Sequence, residues 1–377
     1  MPFLLNSHNV FEYLVELGLC NNSEQATSKV ELVVTKNFDL LVTLSDSRKL
    51  LVKQERHKQG KAAGEFLGEW VLKEFLQRFS ELNHLRLFLP EVLHFDLLNS
   101  IIVQTYRDDY RDLSDFYQKE NSFNSEIATA IGTIVATIHR DTFNRPEYEE
   151  FFHKNSSYSA SDFVKKAIGM LERISPEIFG LVPDDGLKFF ALYQRYDDLG
   201  QAIAQLGSTF TTSCLTHNDL KLNNILLHSN WQQNGTNIIQ LIDWEFSAWG
   251  DPAMDLGNLI GSYVFLWLGS LVISKSLSLE ESLGLAITPM DLLQPSIVAL
   301  ASAYEKTFPE IFEHRPDFWL RVVQFVGFAL ILQILSTIQH QKSFSNTGIA
   351  MMQVAKTLLC NPQQSMRGNW MRENLGQ

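Results

Sequence analysis

Residues 216–227 read THNDLKLNNILL, and residues 241–259 read LIDWEFSAWGDPAMDLGNL. Each stretch sets acids and amides inside an otherwise apolar run, where polar groups are costly unless paired or put to use. In the first, His217, Asp219 and Asn224 follow the spacing H-x-D-x-x-x-x-N; in the second, Asp243 stands nineteen residues beyond Asn224. That set suits metal-dependent phosphoryl transfer. The reaction needs a carboxylate beside the acceptor hydroxyl, to orient it and accept its proton, and oxygen ligands for the magnesium on the triphosphate. Magnesium takes hard oxygen donors and keeps several waters, so one carboxylate and one amide form a fitting protein share. A tight loop carrying Asp219 and Asn224 fixes base and ligand together, and a short hairpin, ILLHSN…NIIQLID, then leads to Asp243.

The elements around these stretches follow from period and turn chemistry. Residues 8–19 read as an amphipathic helix capped by Ser7 or Asn9. From 30 to 55 the period shortens: VELVVTK, FDLLVTLSD and KLLVKQE are strand-like, and SDSRK has hairpin-turn chemistry. GEFLGEWVLKEFLQRF then places apolar residues at helical spacing. Strands near 91–96 and 100–105 follow, and beyond Tyr106 the chain is mainly helical except for the strand-rich 211–246. The junction near 104–110 divides the chain into domains 1–104 and 105–377. The fold class is α+β.

The two motifs resemble those of the protein-kinase-like fold, in the branch that contains aminoglycoside phosphotransferases and choline kinases: HNDLKLNNILL resembles its catalytic loop, and IDWE with DPAMDLG its second block. The order of elements follows the resemblance over roughly residues 30–340. It implies a two-lobed architecture, a small β-rich N-lobe with one key helix and a large, mainly helical C-lobe. It also implies Mg2+ and ATP or GTP as cofactor and co-substrate, with Asp219 as catalytic base and Asn224 and Asp243 as magnesium ligands. His217 would brace the loop, and Asp255 would support it from a buried helix start that it also caps. Glu245 is open between a loop-bracing acid and a contact to metal waters. Lys53 in LLVKQE stands where the family has its phosphate lysine, although from its strand alone it could equally be an edge residue. Glu69 is its expected partner on the following helix, with Glu65 and Glu74 as alternatives. Gln104, Thr105 and Tyr106 fall where the interdomain linker would hydrogen-bond adenine through its backbone, and His139 in IGTIVATIHR reads as a packing residue. One departure stands out: the phosphate-covering loop around 35–40 has no glycine, the residue that lets backbone amides approach phosphates most closely.

Lys221 bears on the acceptor. Protein Ser/Thr kinases have a lysine at this loop position that touches the γ-phosphate, where it would act on the charge of the transition state. The bland alternative is a lysine on a solvated loop. Three functions stand open: a kinase of a small hydroxylated metabolite or aminoglycoside-like acceptor, a kinase of Ser/Thr in a precursor peptide of the lanthipeptide type, and an inactive nucleotide-binding module. The first is favoured, and the retained Asp219, Asn224 and Asp243 argue against the last.

Composition narrows the partners. With 31 basic and 43 acidic residues the net charge is −12, which leaves no cationic excess for nucleic acid or an anionic membrane. It would suit a cationic acceptor, or simply solubility. Cys20, Cys214 and Cys360 have no metal-like spacing and read as reduced thiols of a cytoplasmic protein. MPFLLNSHNVFEYL lacks the basic and long apolar regions of a signal peptide. The apolar runs 256–273 and 320–338 are interrupted by Asn258, Arg321, Gln324 and Gln333, and are expected to be buried core helices rather than membrane spans.

Overall fold

Strand pairing decides where Lys53 stands. The computed structural model describes residues 3–34, 37–55, 64, 66–172, 182–233, 237–274 and 276–367. Its contacts divide into two units: one formed by Met1–Arg111, Phe151–Tyr158 and Leu226–Ser247, the other by Asp112–Glu150, Ser159–Ile225 and Ala248–Gln377.

In the first unit, strands β1 (Lys29–Val34), β2 (Phe38–Thr43), β3 (Lys49–Gln54), β4 (Val92–Asp96) and β5 (Ile101–Thr105) make one sheet, in the order β1-β2-β3-β5-β4. Every neighbouring pair is antiparallel. The SDSR turn joins β2 to β3 as expected, with Leu44 N donating to Arg48 O at 2.8 Å. Side chains alternate along β3: Leu50 and Val52 are buried in a cluster with Val10 and Leu14 of helix α1 (Val10–Glu16). Leu51 and Lys53 therefore face the other way. On that side Ile102 packs with Phe66 and Trp70, at the start of helix α2 (Leu67–Arg78). Because β3 is third of five, Lys53 is a central-strand residue, and the edge reading falls. Further on, strands Ile225–His228 and Ile239–Leu241 are neighbours in a small sheet, and the chain leaves the second of them directly for Asp243.

The second unit is mainly helical. Helix Ser125–Thr142 packs on Met290–Thr307, and Pro252–Gly269 packs on Phe318–Gln341, which in turn packs on Asn346–Cys360. Among the described residues one helix, Phe318–Gln341, is long and apolar enough to cross a membrane, and 67% of its most apolar window is buried inside the protein. Its Arg321 guanidinium donates to Asp251 at 3.1 Å, and both groups are buried. An unpaired buried charge costs several kcal/mol, roughly 3–5 when one partner is removed, so this pair ties the two helices together. Asp251 is also the N-cap of Pro252–Gly269, accepting from Ala253 N at 3.0 Å, with proline in the first turn.

Close approach of those helices depends on Gly257. A Cβ there would lie 2.3 Å from Cβ of Phe325 and 2.9 Å from its carbonyl carbon. Gly257→Ala therefore has to push the helices apart, and over-packing of this kind costs about 1–3 kcal/mol. The urea midpoint of the variant is expected to fall; an unchanged midpoint would show that the contact yields freely.

Candidate active site

Asp255 organises the first group of site residues. It lies in the first turn of Pro252–Gly269 and is buried. Its Oδ2 accepts from His217 N and its Oδ1 from Asn218 N, each at 2.7 Å. The helix cap expected of Asp255 is supplied by Asp251 instead. The sequence D-P places the capping carboxylate immediately before a proline that starts the helix, which leaves Asp255 one turn inside with both oxygens available to the loop. His139 Nε2 approaches Asp255 Oδ2 at 3.2 Å, and its Nδ1 lies 2.9 Å from the Tyr304 hydroxyl. His139 is thus part of a buried polar chain, more than packing. Burial pushes the Tyr304 phenol well above its ordinary pKa, so it stays a neutral hydroxyl.

The same helix supports the loop at two further points. Asn258 Nδ2 donates to Asn218 O at 3.4 Å, and Ser262 Oγ accepts from Leu222 N at 3.3 Å. Residues 255, 258 and 262 share one helical face. That polar stripe in DLGNLIGS is a sequence signal that went unread.

Held in this way, the loop turns through Asn218 at φ 65°, a conformation asparagine tolerates better than most residues. Asp219 follows, 34% exposed at its side chain. Its Oδ2 accepts from Lys221 Nζ at 2.8 Å and from Asn224 Nδ2 at 3.1 Å. Asn224 Nδ2 also reaches Asp219 O at 2.9 Å. Asp219 Oδ1 makes no hydrogen bond to any described residue, and the structure thus brings Asp219, Lys221 and Asn224 into one cluster backed by His217 and Asp255.

Lys53 centres the second group. Its Nζ lies 3.0 Å from Asp243 Oδ1 and 4.0 Å from Glu69 Oε1. Of the two described acids considered, Glu69 and Glu74, Glu69 is the one in ion-pair range; Glu65 lies outside the described residues. Gln104 donates its side-chain amide to Glu69 Oε2, so its side chain has a role where a backbone contact was expected. Asp39 stands opposite Lys53 in the β2–β3 register. The two are equidistant from Asp46 at the turn, and hairpin arithmetic could have found the pair. Burial alone would lower the Lys53 pKa, but the carboxylates of Glu69, Asp243 and Asp39 outweigh it and hold the value above an ordinary lysine. Burial raises Glu69, opposed by Lys53.

Asp243 adopts φ 59°, ψ 56° before the turn Trp244–Phe246. That turn is fixed by Trp244 Nε1 donating to Leu241 O at 2.9 Å and by Ser247 Oγ donating to Gly68 O at 3.1 Å. Gly68 sits against the carbonyl of Glu245, where a Cβ would come within 2.2 Å of that oxygen. The missing side chain lets α2 dock its first turn on the Asp243 turn, so Glu69 and Asp243 reach Lys53 together. The amides of Thr105 and Tyr106 donate to Glu91 O and Lys49 O, at 3.0 and 2.9 Å. Only their carbonyls could meet an adenine edge. Residues 35 and 36 of the glycine-free loop also lie outside the described residues.

Asp255→Asn tests the clamp. An amide can accept through one oxygen only, which leaves a buried loop N–H facing a donor; a loss of about 1–3 kcal/mol is expected. Denaturant unfolding at the wild-type midpoint would mean that the clamp holds nothing.

The sequence profile of the phosphotransferase enzyme family matches residues 40–274. The 4-hydroxytryptamine kinase of Psilocybe cyanescens is 23% identical over 188 residues, covering 48% of this chain and 47% of that protein. Acyl-CoA dehydrogenase family member 11 of Rattus norvegicus is 33% identical over 75 residues, covering 20% of this chain and 9% of that protein. The matched stretches thus span less than half of either curated relative. The crystal structure of a choline/ethanolamine kinase family protein from Mesorhizobium loti aligns over 94% of this chain and 96% of its own, with TM-score 0.50 and 16% identity. That likeness concerns the fold, which is the α+β, protein-kinase-like fold expected from the sequence.

Proposed function

The chain belongs to the phosphotransferase enzyme family, and on that premise we propose that it is a magnesium-dependent kinase that moves the γ-phosphoryl group of ATP to a hydroxyl of a small molecule. The observation that carries this reading is the state of Asp219. One carboxylate oxygen is fixed by Lys221 and Asn224, and the other makes no bond to any described residue. A base positioned in this way can accept a hydrogen bond from an acceptor hydroxyl and take its proton as the phosphoryl group transfers. Lys221, 2.8 Å from Asp219, would keep that carboxylate oriented and bring positive charge to the transferring group. Lys53, held by Glu69 and Asp243 and protonated at neutral pH, would meet the nucleotide phosphates.

The donor set fits magnesium. Asn224 directs its amide nitrogen at Asp219 twice, which leaves its oxygen for a hard cation, and the Asp243 carboxylate is 42% exposed. Each is a hard oxygen donor of the kind magnesium takes, and the ion's share of the chemistry would be to screen the charge of the triphosphate. His217 and Asp255 would act only through the loop they hold, and Glu245 through the turn it shares with Asp243. Thr105 and Tyr106 would offer carbonyls to adenine.

For the acceptor, hydroxylated amines are the class to test first. The names of two similar proteins, a 4-hydroxytryptamine kinase and a choline/ethanolamine kinase family protein, share that chemistry, and a net charge of −12 suits a cationic substrate. Incubation with Mg-ATP and a panel of hydroxylated amines, read by mass spectrometry, is expected to show the gain of one phosphoryl group. Transfer to none of them, with phosphate passing to other alcohols, would remove the amine class.

Asp219→Asn is expected to lower turnover by about 10²–10⁴-fold with nucleotide affinity kept; wild-type turnover would take Asp219 out of the reaction. Asp243→Ala is expected to abolish magnesium-dependent nucleotide binding in calorimetry, and wild-type affinity would overturn the metal assignment.

A further inference from the structure

Beside α2, the sheet-bearing unit contains a cavity of about 650 Å³, within the usual range of small-molecule sites. Lys53 and Asp243 do not line it. Leu72, Leu76, Leu89 and Val92 form an apolar wall, and the cations Lys73 and Arg86 share the space. Each of these cations is only partly satisfied. Lys73 donates to Leu93 O at 3.1 Å and lies 4.5 Å from the Trp70 ring centroid. Arg86 donates one Nη2 bond to Leu76 O at 2.9 Å. Neither forms an ion pair with a carboxylate among the described residues. Of the acids that line the cavity, Glu69 is already engaged by Lys53 and Gln104, and Glu91 is exposed. Burial lowers the Lys73 pKa; Glu91 and, less strongly, Glu74 oppose it, and the Arg86 charge pushes the same way as burial. Two neighbouring cations beside an apolar wall, with one weakly placed acid, make an environment that an anion would improve.

We propose that this cavity binds a small amphipathic anion, its apolar body against the leucine wall and its acidic head between Lys73 and Arg86. The proposal does not rest on the phosphotransfer reading, although Thr105, offered above to adenine, also lines the cavity. Because Glu69 lines the same cavity, an occupant would touch the helix that supplies the carboxylate of Lys53.

Anilinonaphthalene sulfonate, an aromatic anion that fluoresces when sheltered from water, is a suitable probe for the full chain. Two variants test its place. Arg86→Gln keeps one amide donor but removes the charge. Leu87→Trp enlarges a cavity-lining side chain that is 55% exposed, where it can narrow the mouth at little cost to the core. With folding checked by circular dichroism, each is expected to weaken probe binding by about tenfold, the scale of one lost charge-assisted bond. Decanoate should displace the probe and decyltrimethylammonium should not. Unchanged affinity in both variants, or equal displacement by the two amphiphiles, would overturn the proposal.

Discussion

A carboxylate buried beyond the reach of water must receive its hydrogen bonds from the protein, and the conformation of the loop 217–224 follows from how Asp255 receives them. Two of its donors are consecutive backbone amides, at His217 and Asn218. Two amides can point at one carboxylate only when the chain turns sharply between them, and Asn218 makes that turn at positive φ. Asp219 is the next residue, so its direction is set by an acid of the second motif, DPAMDLG. The imidazole of His139 and the hydroxyl of Tyr304 complete the buried chain. Fully satisfied polar networks of this kind rigidify what they hold, whereas partly satisfied ones are costly. The loop is stiff because the alternative is a buried unpaired acid.

The sheet-bearing unit reaches a comparable rigidity by a different route. Lys53 is fixed on a central strand and has acids on three elements: Asp39 on β2, Glu69 on α2 and Asp243 just beyond strand Ile239–Leu241. Several carboxylates near one another are stable only while the lysine stays charged. Its raised pKa means that this contribution is fully present below the ordinary lysine range and is lost only as pH rises through the raised value. Across neutral pH the arrangement is constant. Distance control comes from Gly68, where backbone meets backbone with no side chain between. Side-chain contacts can relax by changing rotamer; a contact between two backbones has little freedom to do so.

Much of this was legible because the site motifs are local. His217, Asp219 and Asn224 share one loop, and the period change at residue 30 separated sheet from helix correctly. What escaped reading depends on strand order or on pairing between distant segments. The alternation of KLLVKQ places Lys53 on a face but cannot say whether its strand is central, since that depends on β5, nearly fifty residues away. The ion pair of Asp251 with Arg321 joins residues 70 positions apart, and neither has a local signal for the other. Two misses were readable. D-P at 251 and 252 marks the helix start, and the stripe 255, 258, 262 marks the loop-facing side; both were obscured by assigning the cap to Asp255.

Burial also separates what the motifs specify from what they leave open. Asp255, His139 and His217 are buried and act on geometry, so their identities follow from constraints internal to the fold. Asp219 and Lys221 are partly exposed and pair with each other. An exposed ion pair contributes only about 0–1 kcal/mol to stability, too little for the fold to be the main reason for Lys221. Its effect is instead to place a positive charge beside the one carboxylate oxygen that is already engaged, which in the proposed reaction would leave the other for the acceptor hydroxyl. Nothing in that arrangement distinguishes one alcohol from another. In the proposed reaction, acceptor choice would therefore lie with side chains outside the motifs, and this is why the motifs point to a reaction class so much more sharply than to a substrate.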